Sequence, residues 1–121
     1  ATYIGKISSE GAQAYLANAY ISEGSGTIKL SYRGKDANMD VYTLADGKEL
    51  IFAEGPDNPA SRKVSYLLER TSAAAPIFVN VIETYRKDPI IESVDISIFE
   101  SKLTVKVCEK AGRERCLSLD F

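Results

Sequence analysis

The C-terminal part of the chain, roughly Ser93 to Phe121, alternates apolar and polar residues with the two-residue period of β-strands. Turns at Glu100–Ser101 and at the charged tip Glu109–Arg115 divide it into three strands. The predicted pairs in the first hairpin are Ile98 with Leu103, Ile96 with Val105 and Val94 with Val107 on one face, and Asp95 with Lys106 and Ser97 with Thr104 on the other. The pattern predicts an antiparallel meander with one apolar and one polar face.

Cys108 and Cys116 are the only cysteines, and both fall on the polar face of the second hairpin. The alternation favours a register that places them opposite each other, together with the pairs Val107–Leu117, Val105–Leu119, Leu103–Phe121 and Lys106–Ser118. This arrangement predicts a cross-strand disulfide, and the alternative is a pair of reduced thiols. A disulfide persists in oxidising compartments, so the pair, together with Ala1 in place of methionine, predicts a periplasmic or secreted protein.

An earlier alternating region, about Thr27 to Ala53, predicts a second meander. Its apolar positions are Ile28, Leu30, Tyr32, Met39, Val41 and Thr43. Asp46 and Gly47 are typical of a type I′ hairpin turn, which would pair Thr43 with Leu50 and Val41 with Phe52.

A helix is predicted before each meander. Ser9 can cap a helix from Glu10 to about Tyr20, and Asn58 and Pro59 can begin a longer one that continues to Asp88, kinked or divided at Pro76. The competing interpretation of the second region makes Ile77–Tyr85 a strand, because it is rich in β-branched residues.

The predicted fold is α+β, with two antiparallel three-stranded meanders, each preceded by a helix, in the order α-βββ-α-βββ. The helices pack on one face of the sheet, and Tyr3, Ile4 and Ile7 can add an edge strand. The length of 121 residues predicts a single domain over residues 1–121.

Charge and hydropathy narrow the classes of partner. The 15 basic and 17 acidic residues are scattered, with no run of one sign that could follow a phosphate backbone. No apolar stretch approaches the length of a membrane-spanning helix. We therefore expect neither nucleic acid nor a membrane span, and the partner we expect is another protein.

Candidate catalytic chemistry is sparse. The chain has no histidine, which excludes Ser-His-Asp triads and the usual catalytic zinc sites, and it has no nucleotide-binding glycine motif. Asp36, Asn38 and Asp40 alternate as in a calcium loop, but the glycine and glutamate that such a loop needs are missing. The sequence predicts an ordinary polar turn there, no metal, no cofactor and no enzyme activity.

The tip of the last hairpin is the candidate binding site. Lys110, Arg113 and Arg115 lie in a loop that the predicted disulfide would hold in few conformations, and guanidinium groups pair well with carboxylates. The alternative is that these charges only protect an edge hairpin from aggregation. A groove lined by Tyr15, Tyr20 and Phe78 is a second candidate, for a small apolar ligand.

Three functions follow from these observations. The first is a noncatalytic exported protein-binding module, such as an inhibitor, an immunity protein or a secretion accessory protein, acting as a monomer or homodimer. The second is a cytoplasmic, acidic, dimeric protein resembling secretion chaperones, which rests on the order of helices and strands alone. The third is a small-ligand-binding protein.

Overall fold

In the computed structural model, which describes residues 1–121, the alternating segments form ten β-strands and no α-helix. The strands are β1 (Thr2–Gly5), β2 (Ala17–Glu23), β3 (Thr27–Arg33), β4 (Asn38–Leu44), β5 (Glu49–Pro56), β6 (Lys63–Arg70), β7 (Asn80–Tyr85), β8 (Ile91–Phe99), β9 (Lys102–Glu109) and β10 (Glu114–Asp120). The only helical element is a 3-10 helix over Ala12–Tyr15. The predicted α+β class, α-βββ-α-βββ, is therefore wrong, and the protein is nearly all β.

The first predicted helix is wrong, because its alanines at positions 17 and 19 lie in strand β2. Ala19 is fully buried in β2 and packs with Leu16, Ile51 and Ala53 in one apolar cluster. Small side chains at alternate positions let the covering segment approach the sheet closely, so the alanine content that suggests a helix here reflects close packing instead.

The second predicted helix is replaced by β6 and β7. Val64, Tyr66 and Leu68 alternate on one face of β6, and their strand neighbours on β5 are Gly55, Ala53 and Ile51. The competing interpretation of residues 77–85 as a strand is confirmed by β7, although the strand begins at Asn80 and not at Ile77. The β-branched residues of this region prefer the extended backbone, and this preference outweighs the apparent helical spacing.

The chain forms two compact units and passes between them three times along its length. The first consists of residues 1–24 and 47–76, and the second of residues 25–46 and 77–121. The division into two units is finer than the single domain that chain length predicts.

The first unit contains one antiparallel sheet in the order β1-β2-β5-β6. The predicted edge strand at the start of the chain is present as β1, which includes Tyr3 and Ile4 but not Ile7. One face of the sheet is covered by Leu16 and Ile7, which pack against Ala19, Ile51 and Ala53. A Cβ added at Gly55 would lie 2.7 Å from Leu16 Cδ2 and 2.6 Å from Tyr66 Cε2, so only glycine allows this approach.

The second unit contains two three-stranded antiparallel sheets, which we name the β4 sheet (order β3-β4-β7) and the β9 sheet (order β10-β9-β8). The register predicted between β8 and β9 is confirmed, including Ile96 opposite Val105 and Asp95 opposite Lys106. The two sheets share a core of Leu44, Ile96, Leu103 and Val105, flanked by Val79, Val81, Val94 and Val107.

The predicted pairing of β4 with β5 is wrong. β4 lies between β3 and β7, and β5 lies between β2 and β6, so the Asp46–Gly47 turn connects two sheets instead of closing a hairpin. Asp46 Oδ1 accepts a hydrogen bond from the Gly26 amide at 2.6 Å, and the Ala45 amide donates to the Gly26 carbonyl at 2.8 Å. These bonds tie the end of β4 to the start of β3.

Candidate functional site

The disulfide predicted between Cys108 and Cys116 is absent, and both residues are free thiols. The register between β9 and β10 differs from the predicted one by two residues, so Cys108 lies opposite Glu114 and Cys116 opposite Lys106. The cause is the loop, in which Glu109 N donates to Arg113 O at 2.8 Å and Gly112 takes a φ of 94°. A three-residue loop with glycine in the left-handed region brings residues 109 and 113 together.

The shift by two residues preserves the face on which each side chain lies. Cys116 is exposed and Cys108 half-buried on the polar side of the β9 sheet, with Cys108 Sγ 4.0 Å from Glu114 Oε2. The prediction that both cysteines lie on the polar face is therefore right, although they are not bonded.

The predicted binding residues Lys110, Arg113 and Arg115 are all exposed around this loop. The Lys110 amide donates to the Ile90 carbonyl at 2.9 Å, which ties the loop to the segment before β8. Arg115 Nη2 lies 3.8 Å from Glu109 Oε1, so that part of its charge is balanced within the hairpin. Backbone hydrogen bonds, and not a disulfide, hold the loop.

The apolar side of β10 is uncovered. Leu117, Leu119 and Phe121 keep 63%, 56% and 58% of their surface exposed, although they share a face with buried Val105 and Leu103 on the neighbouring strand. The β4 sheet covers β8 and β9 on this face and leaves the side chains of β10 in solvent. Adjacent exposed apolar side chains of this size are typical of a surface that binds another protein.

One backbone edge of β10 is also free. The hydrogen bonds from Glu109 N to Arg113 O and from Phe121 N to Ser101 O show that the odd-numbered residues of β10 bond to β9. The amide and carbonyl groups of Glu114, Cys116, Ser118 and Asp120 therefore point away from the sheet, and β10 has no strand on that side.

On the opposite edge of the same sheet, side chains bond to some of the backbone groups of β8 and of the residue before it. On β8, the Ile96 amide donates a hydrogen bond to Thr27 Oγ1 at 2.8 Å. The Thr27 hydroxyl in turn donates to the Ile96 carbonyl at 3.5 Å. Glu83 accepts hydrogen bonds from the amides of Ile90 and Ile91 at the start of β8. Side chains of the β4 sheet thus satisfy backbone groups on this edge.

A buried carboxylate is the most densely bonded polar group of the chain. Asp40 is fully buried on β4, where its Oδ1 accepts from the Ser31 hydroxyl at 2.8 Å and the Tyr85 hydroxyl at 3.3 Å. Arg33 Nη1 lies 3.4 Å from the same oxygen, and Lys29 Nζ lies 3.6 Å from Oδ2. Arg33 also donates to Tyr85, and its guanidinium lies 5.7 Å from the centre of the Tyr85 ring.

These partners decide the charge of Asp40. Burial by itself would raise the pKa of its carboxyl, but the Ser31 hydroxyl, the Lys29 ammonium, the Tyr85 hydroxyl and the Arg33 guanidinium together lower that pKa below its ordinary value. Asp40 is therefore ionised near neutral pH. Asp40 itself is buried, and its bonds join β3, β4 and β7 within the β4 sheet.

The polar turn predicted at Asp40 is wrong, because Asp40 lies on β4, and the alternation along the chain did not predict this cluster. A signal was present, because Lys29, Ser31 and Arg33 alternate with the apolar residues of β3 and so share one face. A carboxylate at the matching position of the next strand completes a set of cross-strand polar pairs.

Two cavities of the first unit are large enough to describe as candidate ligand sites. One, of about 590 Å³, is lined by Glu23, Gly24, Gly47, Lys48, Glu49, Arg70, Thr71 and Ser72, and Arg70 Nε donates to Glu49 Oε2 inside it at 2.7 Å. The other, of about 430 Å³, is mostly apolar and is lined by Ala12, Gln13, Tyr15, Leu16, Pro56, Tyr66 and Leu68. The predicted tyrosine groove is correct only for Tyr15, because Tyr20 and Phe78 do not line this cavity.

The remaining chemistry is limited. The cysteine and acidic side chains form no cluster that could hold a metal ion, and no helix is long and apolar enough to cross a membrane. Comparison with protein families, with curated proteins and with solved structures finds no match for this chain.

Proposed function

We propose that this chain is a noncatalytic protein-binding module that binds an extended segment of another polypeptide along β10. The observation that carries the proposal is the coincidence, on one strand, of exposed Leu117 and Leu119 with an unpaired backbone edge. An added strand can use both features at once, since main-chain hydrogen bonds supply affinity and alternate side chains supply specificity.

The charged loop extends this surface at one end. Lys110 and Arg113 are exposed beside the end of β10, and neither has an ion pair among those found in the protein. A partner segment with apolar residues at alternate positions and a carboxylate near the loop would match the surface, because charge-assisted hydrogen bonds to arginine add specificity.

The test uses extended peptides from a displayed library, which are selected for binding to the immobilised protein. The affinity of one enriched peptide is then measured for the native chain and for two variants. Ser118→Pro removes an outward amide without removing a bond to β9, and Ser118→Ala is the matched control because it keeps that amide. We expect the proline variant alone to lose binding at least about tenfold, which corresponds to roughly 1.4 kcal/mol.

Two further measurements complete this test. Arg113→Ala and Arg115→Ala report on the loop, and unchanged affinity in both removes the loop from the binding surface. Equal affinity of the native chain and Ser118→Pro would contradict the proposal that β10 is the binding edge.

The second candidate function, binding of a small apolar ligand, is favoured by one observation in the first unit. The apolar cavity between the 3-10 helix and β6 places Tyr15 and Tyr66 at its rim, with 72% and 38% of their surface exposed. Pockets of this composition suit apolar ligands with a few polar groups. The chaperone-like alternative loses its support, because it rested on helices that the structure does not contain.

Export to the periplasm or outside the cell stays a prediction from the sequence. The free thiols of Cys108 and Cys116 remove the argument from a disulfide.

A further inference from the structure

We infer that the strand bound along β10 is β10 of a second copy of this chain, so that two β9 sheets join into one continuous sheet. This inference rests on the proposed function, because it names the occupant of the same edge. A two-fold axis perpendicular to the sheet makes the two strands antiparallel and keeps the apolar sides on the same face.

The two β10 strands can pair only in registers that place apolar side chains of both copies on the same face, and these registers differ by steps of two residues. If Leu117 lies opposite itself, Glu114 lies opposite Asp120 of the other copy, and like charges face each other. If Cys116 lies opposite itself, the side chain of Leu117 lies opposite Arg115 instead of an apolar group.

The register with Ser118 opposite itself has neither fault. Leu117 then lies opposite Leu119 of the other copy, and Cys116 opposite Asp120. Arg115 lies opposite Phe121, where a guanidinium can pack on an aromatic ring. In this register no like charges face each other, and the leucines of the two copies form the central apolar contact.

The backbone polarity of β10 is compatible with this register, as it is with every register that pairs even-numbered residues. The even-numbered residues of β10 direct their amides and carbonyls outward, so Ser118 with Ser118 and Cys116 with Asp120 become hydrogen-bonded pairs that exchange both N–H···O bonds. The odd-numbered leucines then form non-hydrogen-bonded pairs, in which side chains approach most closely. This contact removes apolar surface from water on the strand that the β4 sheet leaves uncovered.

The first experiment measures self-association by sedimentation velocity from micromolar to submillimolar concentration. We expect a reversible dimer for the native chain and for Ser118→Ala, and at least about tenfold weaker association for Ser118→Pro. Circular dichroism establishes that the proline variant is folded. A native chain that stays monomeric at every concentration overturns the inference, as does a dimer that survives Ser118→Pro.

The second experiment does not depend on the proline variant. In a chain with Cys108→Ser and Cys116→Ser, a cysteine introduced by Ser118→Cys lies opposite itself with Cα atoms about 5.5 Å apart, within the range of a disulfide. We expect mild oxidation to give a covalent dimer. The control is Ser97→Cys in the same background, on the same polar face but on β8, and it should give no more than collisional dimer.

The outcomes separate this inference from the proposed function. No crosslink at position 118 above the Ser97→Cys control overturns the register and with it the inference, as does rapid crosslinking of the native chain through Cys116. If the native chain is monomeric but binds a selected peptide through β10, the second copy is wrong and the protein-binding function stands. If neither a second copy nor any peptide binds at β10, both are wrong.

Discussion

The two edge strands of the β9 sheet have similar patterns of apolar residues, but one is covered and the other is exposed. β8 carries Val94 and Ile96, and β10 carries Leu117 and Leu119, on the same face of the sheet. Ile96 is 3% exposed and its backbone is bonded to the Thr27 hydroxyl, whereas Leu117 is 63% exposed beside an unpaired edge. Only the β8 side is completed by the unit's own β4 sheet.

The difference separates a covered edge, whose side chains contribute to stability, from an uncovered edge, which the proposed function uses for binding. An exposed strand edge with apolar residues is an aggregation hazard, which proteins usually manage with charges, bulges or a cover. β10 has some protection from Arg115, Glu114 and Asp120, but no cover. Loss of side chains on the covered side should therefore reduce stability, and loss of side chains on β10 should reduce association.

The largest effect expected is that of Ile96→Ala. This change leaves a cavity among Leu44, Leu103 and Val105, and the free energy of unfolding should fall by about 2–5 kcal/mol. The matched change Leu119→Ala, on the exposed strand, should alter it by less than about 0.5 kcal/mol at concentrations where the protein is monomeric.

Denaturant unfolding of both variants measures this contrast. Similar losses in the two variants would mean that β10 is covered within the monomer, and the distinction between the two edges would fail.

The next effect concerns a covered and an exposed carboxylate. Asp40→Asn weakens the bonds from Ser31, Lys29 and Arg33, so the free energy of unfolding near pH 7 should fall by about 2 kcal/mol. Asp120→Asn, on the exposed strand, should change it by less than about 0.5 kcal/mol.

The pH dependence has a definite sign. Because folding lowers the pKa of Asp40, its ionised form stabilises the native state above the unfolded pKa of about 3.9, and this contribution is lost as the pH falls through the lower folded pKa. The difference between the native chain and Asp40→Asn should therefore be constant around neutral pH and shrink below about pH 4. A difference that persists unchanged in acid would show that packing, and not charge, holds Asp40.

The sequence predicts the register of β8 with β9 correctly and the register of β10 with β9 incorrectly, and the turns explain the difference. The register between β8 and β9 follows from a tight turn, in which Glu100 and Ser101 both take positive φ, and from alternation that continues on both sides of it. Between β9 and β10 the alternation is satisfied equally well by registers two residues apart, so the turn decides. The loop closed by Glu109 and Arg113 decides against the disulfide.

The incorrect helices have a related cause. Short strands such as β2 and β6 carry apolar residues on the face that the sheet needs, and in a single sequence the same residues also fit a helical stripe. Whether such a segment forms a helix or a strand depends on the strands with which it can pair, and these lie far along the chain. For example, β2 pairs with β5, and β4 pairs with β7. The Asp40 cluster was missed for the same reason, since Tyr85 reaches it from β7.

The smallest of these effects should come from the bond between Thr27 and the backbone of Ile96 on the β8 edge. Thr27→Val keeps the shape of the side chain but removes the hydroxyl that binds the amide and carbonyl of Ile96, which leaves buried backbone groups unpaired and should lower the free energy of unfolding by about 1–2 kcal/mol. Thr27→Ser keeps the hydroxyl and should recover most of this loss. The exchange rate of the Ile96 amide provides a local readout, since it should rise in the valine variant and stay near native in the serine variant. Equal exchange in all three chains would show that the β8 edge is protected by packing alone, and the contrast with β10 would then reduce to coverage of the apolar face.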